Sequence, residues 1–148
     1  MKAQEYMRAA LKYAEDALKN GEVPVGCVIV KDGNIIAHGE NQREKSKNAL
    51  AHAEIQAIDM ACKEVGDWRL SDCDLYVTLE PCPMCAGAII NARIRAVYYG
   101  ASDTVFGACG GVMNLFEEAF SPSPKLYGGI LSEECGTLIS DFFAEIRK

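Results

Sequence analysis

The chain has 148 residues, 49% hydrophobic and 24% charged, so residues 1–148 are expected to form a single domain with a substantial core. Its net charge of −6, from 15 basic and 21 acidic residues, excludes a protein that grips nucleic acid with its whole surface, because phosphate binding needs positive potential; a local basic patch remains compatible. No transmembrane run is visible and Met1-Lys2-Ala3-Gln4-Glu5 is too polar for a signal peptide, so no membrane association is expected. Seven cysteines then point to a reducing cytoplasm and a metal site before a disulfide framework.

Met7, Ala10, Leu11, Ala14, Ala17 and Leu18 recur at helical spacing, and Gly21 follows as a stop. Val25 to Val30 is a continuous apolar run that suits a buried strand. Asp32-Gly33 signals a hairpin, with Asn34 to His38 returning as its partner. Residues 40–48 are polar and loop-like, and carry Arg43, Lys45 and Lys47. Ile55, Ile58, Ala61 and Cys62 give a helical stripe beginning just after His52. Asp74 to Leu79 reads as a strand stopped by Pro81, Cys85 to Ala92 as a helix, and Ala96 to Tyr99 as a further strand. Arg93 and Arg95 follow that helix, and Arg147 and Lys148 end the chain. These basic groups suit either a local patch or ordinary helix ends and solvated loops. Gly107, Gly110 and Gly111 mark a loop, Val112 to Phe116 a short helix, and Ser121-Pro122-Ser123-Pro124 another loop. Leu138, Ile139, Phe142, Phe143 and Ile146 form a last amphipathic helix. Strands interleaved with helices indicate an α/β fold with helices covering a central sheet.

Two short segments carry the chemistry. His52-Ala53-Glu54 and Pro81-Cys82-Pro83-Met84-Cys85 form the H-x-E…P-C-x-x-C pattern of zinc-dependent base deaminases. His52, Cys82 and Cys85 supply three ligands for one Zn²⁺ and leave one tetrahedral position for water, where a closed structural site would need a fourth protein ligand. Two thiolates cancel the charge of the ion, so it polarises water less than a three-histidine site would, and a nearby base must take the proton. Glu54 fits that role. Both segments open helices, whose free N–H groups and positive partial charge favour thiolates and an anionic intermediate. Positions i and i+2 of a helix lie about 200° apart, so His52 and Glu54 serve one site only if the helix aims its end at it. His38 has no such partners and reads as structural. Cys27, Cys62, Cys73 and Cys135 read as small buried apolar residues, and Cys109 sits in the glycine-rich loop, where a place near the site is open. By itself the Cys82/Cys85 pair also has the strand, C-x-x-C and helix layout of a thiol redox site.

The chain resembles bacterial tRNA-specific adenosine deaminases, within the wider cytidine deaminase-like superfamily. The likeness runs through Glu22-Val23-Pro24-Val25-Gly26, Ala51-His52-Ala53-Glu54-Ile55, the stretch from Leu75 to Ala88, Gly129-Ile130-Leu131 and Asp141-Phe142-Phe143. The resemblance implies a three-layer fold with a five-stranded mixed sheet flanked by helices. It implies hydrolytic conversion of adenosine to inosine at the wobble position of a tRNA anticodon stem-loop, and a homodimer whose partner helps build the substrate surface. It places Asn41 and the Ala53 backbone against the target nucleotide, Asp103 near the anticodon-loop sugar and Phe143 near the flanking nucleotides. Phe120-Ser121-Pro122-Ser123-Pro124-Lys125 departs from the Asn-His-basic segment that many relatives carry there. The alternatives are a free-base or nucleoside deaminase of guanine or cytosine type using the same four residues, and a non-catalytic zinc module or thiol redox protein.

Overall fold

The computed structural model describes residues 2–146. The expected basic pair Arg147 and Lys148 lies outside them. The elements run α1 (Lys2–Lys19), β1 (Gly26–Lys31), β2 (Asn34–Glu40), α2 (Ala53–Val65), β3 (Cys73–Leu79), α3 (Pro83–Asn91), β4 (Ala96–Ala101), β5 (Lys125–Tyr127) and α4 (Ser132–Ile146). The strands form one sheet in the order β2-β1-β3-β4-β5. β1 pairs antiparallel with β2 and β3, whereas β3–β4 and β4–β5 are parallel. The β1–β2 hairpin turns at Asp32 and Gly33, both at positive φ, the backbone of a type I′ turn.

Alternation along the strands separates two cores. Cys27 and Ile29 of β1 and Leu75 and Val77 of β3 face α2 and α3, joined by Ala53, Ala57, Ala61, Ala86 and Ile89. Val28 and Val30 of β1 and Tyr76 of β3 face the other way, toward Met7 and Ala10 of α1 and Cys135 of α4. The result is three layers, α2 and α3 over the sheet and α1 and α4 beneath it. This is the expected five-stranded mixed sheet. A period of two sends successive strand residues to opposite faces, so continuous apolar runs are what a sheet covered on both sides requires.

α2 lies very close to the sheet. Its buried stripe is Ala53, Ala57 and Ala61, spaced by four, with no branched side chain to hold it off. Beneath it Gly39 has no room for a Cβ, which would meet the Ala53 carbonyl oxygen and Ala57 N. Gly66 then ends the helix in the left-handed conformation at φ 78°, its N–H donating to Cys62 O.

The chain-order reading differs in three places. The helix expected over Val112 to Phe116 is only a 3₁₀ turn at Leu115–Glu117, capped by Asn114, whose side chain accepts from Phe116 N. β5 is three residues long, too short to show a period. Phe143 of α4, read from the residues alone as core, is 39% exposed, because it borders an open cleft with Val23, Asn41 and Arg43.

Candidate active site and metal centre

The two motif halves meet at two helix N-termini. His52 is the N-cap of α2, with extended backbone (φ −84°, ψ 154°). Cys82 is the N-cap of α3, also extended (φ −76°, ψ 172°), followed by Pro83 in the first turn, a position where a missing N–H costs nothing. Neither side chain makes a capping hydrogen bond, and both point toward each other and Cys85. The helical-wheel conflict between His52 and Glu54 resolves here. His52 stands off the helix, Glu54 sits in its first turn, and the helix end is aimed at the site.

Nδ1 of His52 lies 3.6 Å from Cys82 Sγ and 3.5 Å from Cys85 Sγ. The three ligand atoms lie within 4.8 Å of one another, and among the described residues they form the metal-ligating cluster. A tetrahedral zinc ion bonded at about 2.3 Å to sulfur and about 2.05 Å to nitrogen would hold N and S about 3.6 Å apart. The donor set and its spacing therefore fit the ion.

The electrostatics agree. Cys85 is buried and gives its thiol proton toward Cys82, which raises Cys85 and, with the His52 hydrogen bond, lowers the Cys82 thiol to about 4. His52 is raised, chiefly by that hydrogen bond to Cys82. Glu54 is only 4% exposed. Burial pushes its carboxyl up to about 7, aided by the charge of Cys82 and opposed by its backbone N–H, His52 and Cys85. A carboxyl held near neutrality can both take and return protons at working pH.

Two loops flank the centre, and each is held by a buried carboxylate that the sequence reading did not single out. Glu22 accepts from Glu44 N at 3.0 Å and Lys45 N at 2.7 Å, and so fixes the loop 41–48. Glu80 accepts from Asp103 N, Cys109 N and Gly111 N. The available signal was an acid at the edge of an apolar segment close before a proline, as in Glu22-Val23-Pro24 and Glu80-Pro81. Cys109 is buried, and Glu54 and Cys82 add to the burial and Glu80 charge that push its thiol up to about 12, so it borders the site.

The expected substrate contacts fall into separate places. Ala53 is fully buried in the first turn of α2. Asn41 is largely buried, with Nδ2 donating to Val23 O at 3.2 Å and Oδ1 accepting from Arg43 N at 3.1 Å. Asn41 and Phe143 line one cleft of about 290 Å³, together with Val23, Arg43, Phe142 and Ile146. Asp103 lies on the other loop, where Oδ1 accepts from Val105 N and Phe106 N. Arg43, Lys45 and Lys47 are exposed on the loop 41–48. Arg93 and Arg95 follow the plain structural reading: Arg93 donates to Ile90 O and Asn91 O at the end of α3, and Arg95 pairs with Asp74. His38 stacks on Tyr13 at 4.4 Å, which is structural, as expected. Cys27, Cys73 and Cys135 are buried, while Cys62 is only half-buried.

Residues 1–101 match the model of the cytidine and deoxycytidylate deaminase zinc-binding region. The chain is 50% identical over 144 residues to a tRNA-specific adenosine deaminase of Bacillus subtilis, covering 97% of this chain and 89% of that one. The chain belongs to the tRNA-specific adenosine deaminase family. A solved structure from work on A-to-I editing by tRNA:A34 deaminases superposes on this member of the family with a TM-score of 0.88 and 43% identity, covering 90% of this chain and 98% of that one. A guanine deaminase of Bacillus subtilis is also similar, at a TM-score of 0.65 and 38% identity over 97% of this chain and 93% of that one. As a family member the chain is a zinc-binding hydrolytic deaminase.

Proposed function

We propose that this deaminase converts adenosine to inosine at the wobble position of a tRNA anticodon loop, with residues 1–148 as one catalytic domain. The observation that carries the chemistry is the buried Glu54 carboxyl beside the His52, Cys82 and Cys85 triangle, at two converging helix ends. Support for the substrate comes from the 50% identity to a tRNA-specific adenosine deaminase and the 0.88 superposition on the A34 deaminase.

His52 Nδ1 and the Cys82 and Cys85 sulfurs would hold the zinc ion, which when bound lowers the pKa of water and acts as a Lewis acid. Glu54 takes a proton from the attacking water and returns protons to the ring nitrogen and the departing amine, so that adenosine and water become inosine and ammonia. Burial keeps Glu54 poised for both directions. The free N–H groups at the starts of α2 and α3 favour negative charge as it develops on the ring. The target nucleotide must leave its stack, which costs little in an anticodon loop where bases are already splayed. Asn41, the Ala53 backbone, Asp103 and Phe143 form the proposed nucleotide contacts. The exposed Arg43, Lys45 and Lys47 supply positive potential for phosphates on a chain that is acidic overall.

A homodimer and a cytoplasmic location belong to the same proposal. The exposed apolar side chains Leu50, Met60 and Trp68 support a partner surface, and the abundance of cysteine supports a reducing compartment. No described helix is long and apolar enough to cross a membrane. The deciding experiment incubates the zinc-loaded protein with an adenosine-bearing anticodon stem-loop and, separately, with free guanine, cytosine and adenosine. Inosine in the stem-loop with no turnover of free bases is expected. Turnover of free guanine with an untouched stem-loop would move the protein to the free-base class.

A further inference from the structure

Glu80 is a buried acid that the chemistry above does not use. It follows β3 directly and precedes Pro81 and Cys82, and it is 2% exposed. Its backbone N–H donates to Ala101 O at 2.8 Å, which holds it at the end of β4. No described cation pairs with its carboxylate. Instead three backbone N–H groups converge on it: Asp103 N on Oε1 at 3.0 Å, and Cys109 N and Gly111 N on Oε2 at 2.9 and 2.8 Å. All three come from the loop 103–113. Two glycines of that loop, Gly107 and Gly111, lie so close that a Cβ on either would run into the carboxylate and the Asp103 carbonyl.

The anchor also reaches the metal-ligand segment. Ala108 N donates to Pro81 O at 2.9 Å, so both residues before Cys82 hold the loop. Cys109, in its middle, is close enough to Glu54 and Cys82 to feel both charges. On its outer side the loop leaves Val105, Phe106, Val112 and Met113 exposed, Phe106 by 67%. Flat apolar bases are covered well by such side chains.

We propose that Glu80 is a positioning residue for the substrate: its carboxylate holds the loop 103–113 as the wall beside the catalytic centre. A carboxylate is required because all its lone pairs accept and the loop brings only donors. A glutamine keeps the shape but turns an NH₂ group toward at least one backbone N–H, so one anchor is replaced by a clash of donors. The ligand triangle is held by α2 and α3, so the wall loosens without unseating the metal. The inference rests on the proposed RNA-deaminase reading.

The test measures zinc content, KM and kcat on the anticodon stem-loop, and backbone hydrogen exchange, for Glu80→Gln and Gly111→Ala. The second variant strikes the same anchor from the loop side and leaves Glu80 intact. Expected for both are one zinc per chain, a KM raised about tenfold or more with kcat within about threefold, and faster exchange confined to residues 103–113. An inactive wild-type protein would sink the RNA-deaminase reading itself. With active wild type, an unchanged KM in either folded variant overturns the positioning role. So does a loss of rate that merely tracks lost zinc. If Glu80→Gln does not fold, Gly111→Ala decides alone.

Discussion

Replacing Gly39 by alanine disturbs the centre from beneath. The added methyl group would lie inside the van der Waals surface of the Ala53 carbonyl oxygen and 2.9 Å from Ala57 N. Both atoms are main chain, so no side chain can rotate away. Ordinary contact needs about 3.5 Å, so α2 must retreat from the sheet by on the order of 1 Å. Overpacking of this kind costs about 1–3 kcal/mol, and a rigid neighbour places this site toward the upper end. The same retreat carries His52, the N-cap of α2, away from sulfurs now 3.5 and 3.6 Å from Nδ1. A misplacement of this size costs about 10²-fold in rate. The assay compares melting temperature, zinc stoichiometry and deamination rate with those of Gly136→Ala. That control on α4 meets only Ala101 Cβ at 3.9 Å and is expected to behave as wild type. A Gly39→Ala protein with full zinc content and wild-type rate would refute the claim that this close contact sets the ligand geometry.

Glu54→Gln is expected to keep one zinc per chain and lose about 10²–10⁴-fold in turnover; full turnover with bound zinc would remove Glu54 from the proton transfers. In metal-free protein the raised Glu54 carboxyl, from 4.5 to about 7, means the folded state binds the extra proton. Its contribution is therefore complete below about pH 4.5 and lost as the pH rises through about 7. The stability of wild type relative to Glu54→Gln should fall by about 2–3 kcal/mol across that window, and a flat difference in denaturant melts would contradict the burial argument. Glu22→Ala leaves Glu44 N and Lys45 N without an acceptor and is expected to cost about 1–3 kcal/mol, with faster hydrogen exchange at residues 44–45; unchanged exchange there would exclude the anchor. Chelation should abolish deamination and lower the melting temperature, and added zinc should restore both; activity that survives complete metal removal would refute the metal centre.

How far the sequence reached depends on the range of the interaction. The hairpin at Asp32-Gly33, the helix after His52 and the strand before Pro81 rest on local backbone preference and periodicity, and all were legible. β5 was not legible from its own residues, because Lys125–Tyr127 becomes a strand only by pairing with β4. The helix expected at Val112 to Phe116 gave way to a loop in which Val112 N and Met113 N donate back to Gly107 O and Leu115 N to Ala108 O, while the preceding N–H groups of Asp103, Cys109 and Gly111 turn inward to Glu80, a partner 23 to 31 residues away. Phe143 was apolar at the right spacing for a core. Its exposure depends on the cleft it forms with Val23, Asn41 and Arg43, residues about 100 positions away.

The sequence by itself determined the ligand types, the proton-carrying acid and the requirement that two helix ends converge, because those follow from donor chemistry and from the spacing of residues along a helix. Only the tertiary structure decided that they do converge. It set the 3.5–3.6 Å triangle, the burial that brings Glu54 near neutrality, and the two buried carboxylates that hold the flanking loops. Distances between segments 30 residues apart depend on how closely layers pack. Here that closeness rests on an alanine stripe over a glycine, a match that exists only once α2 lies on the sheet.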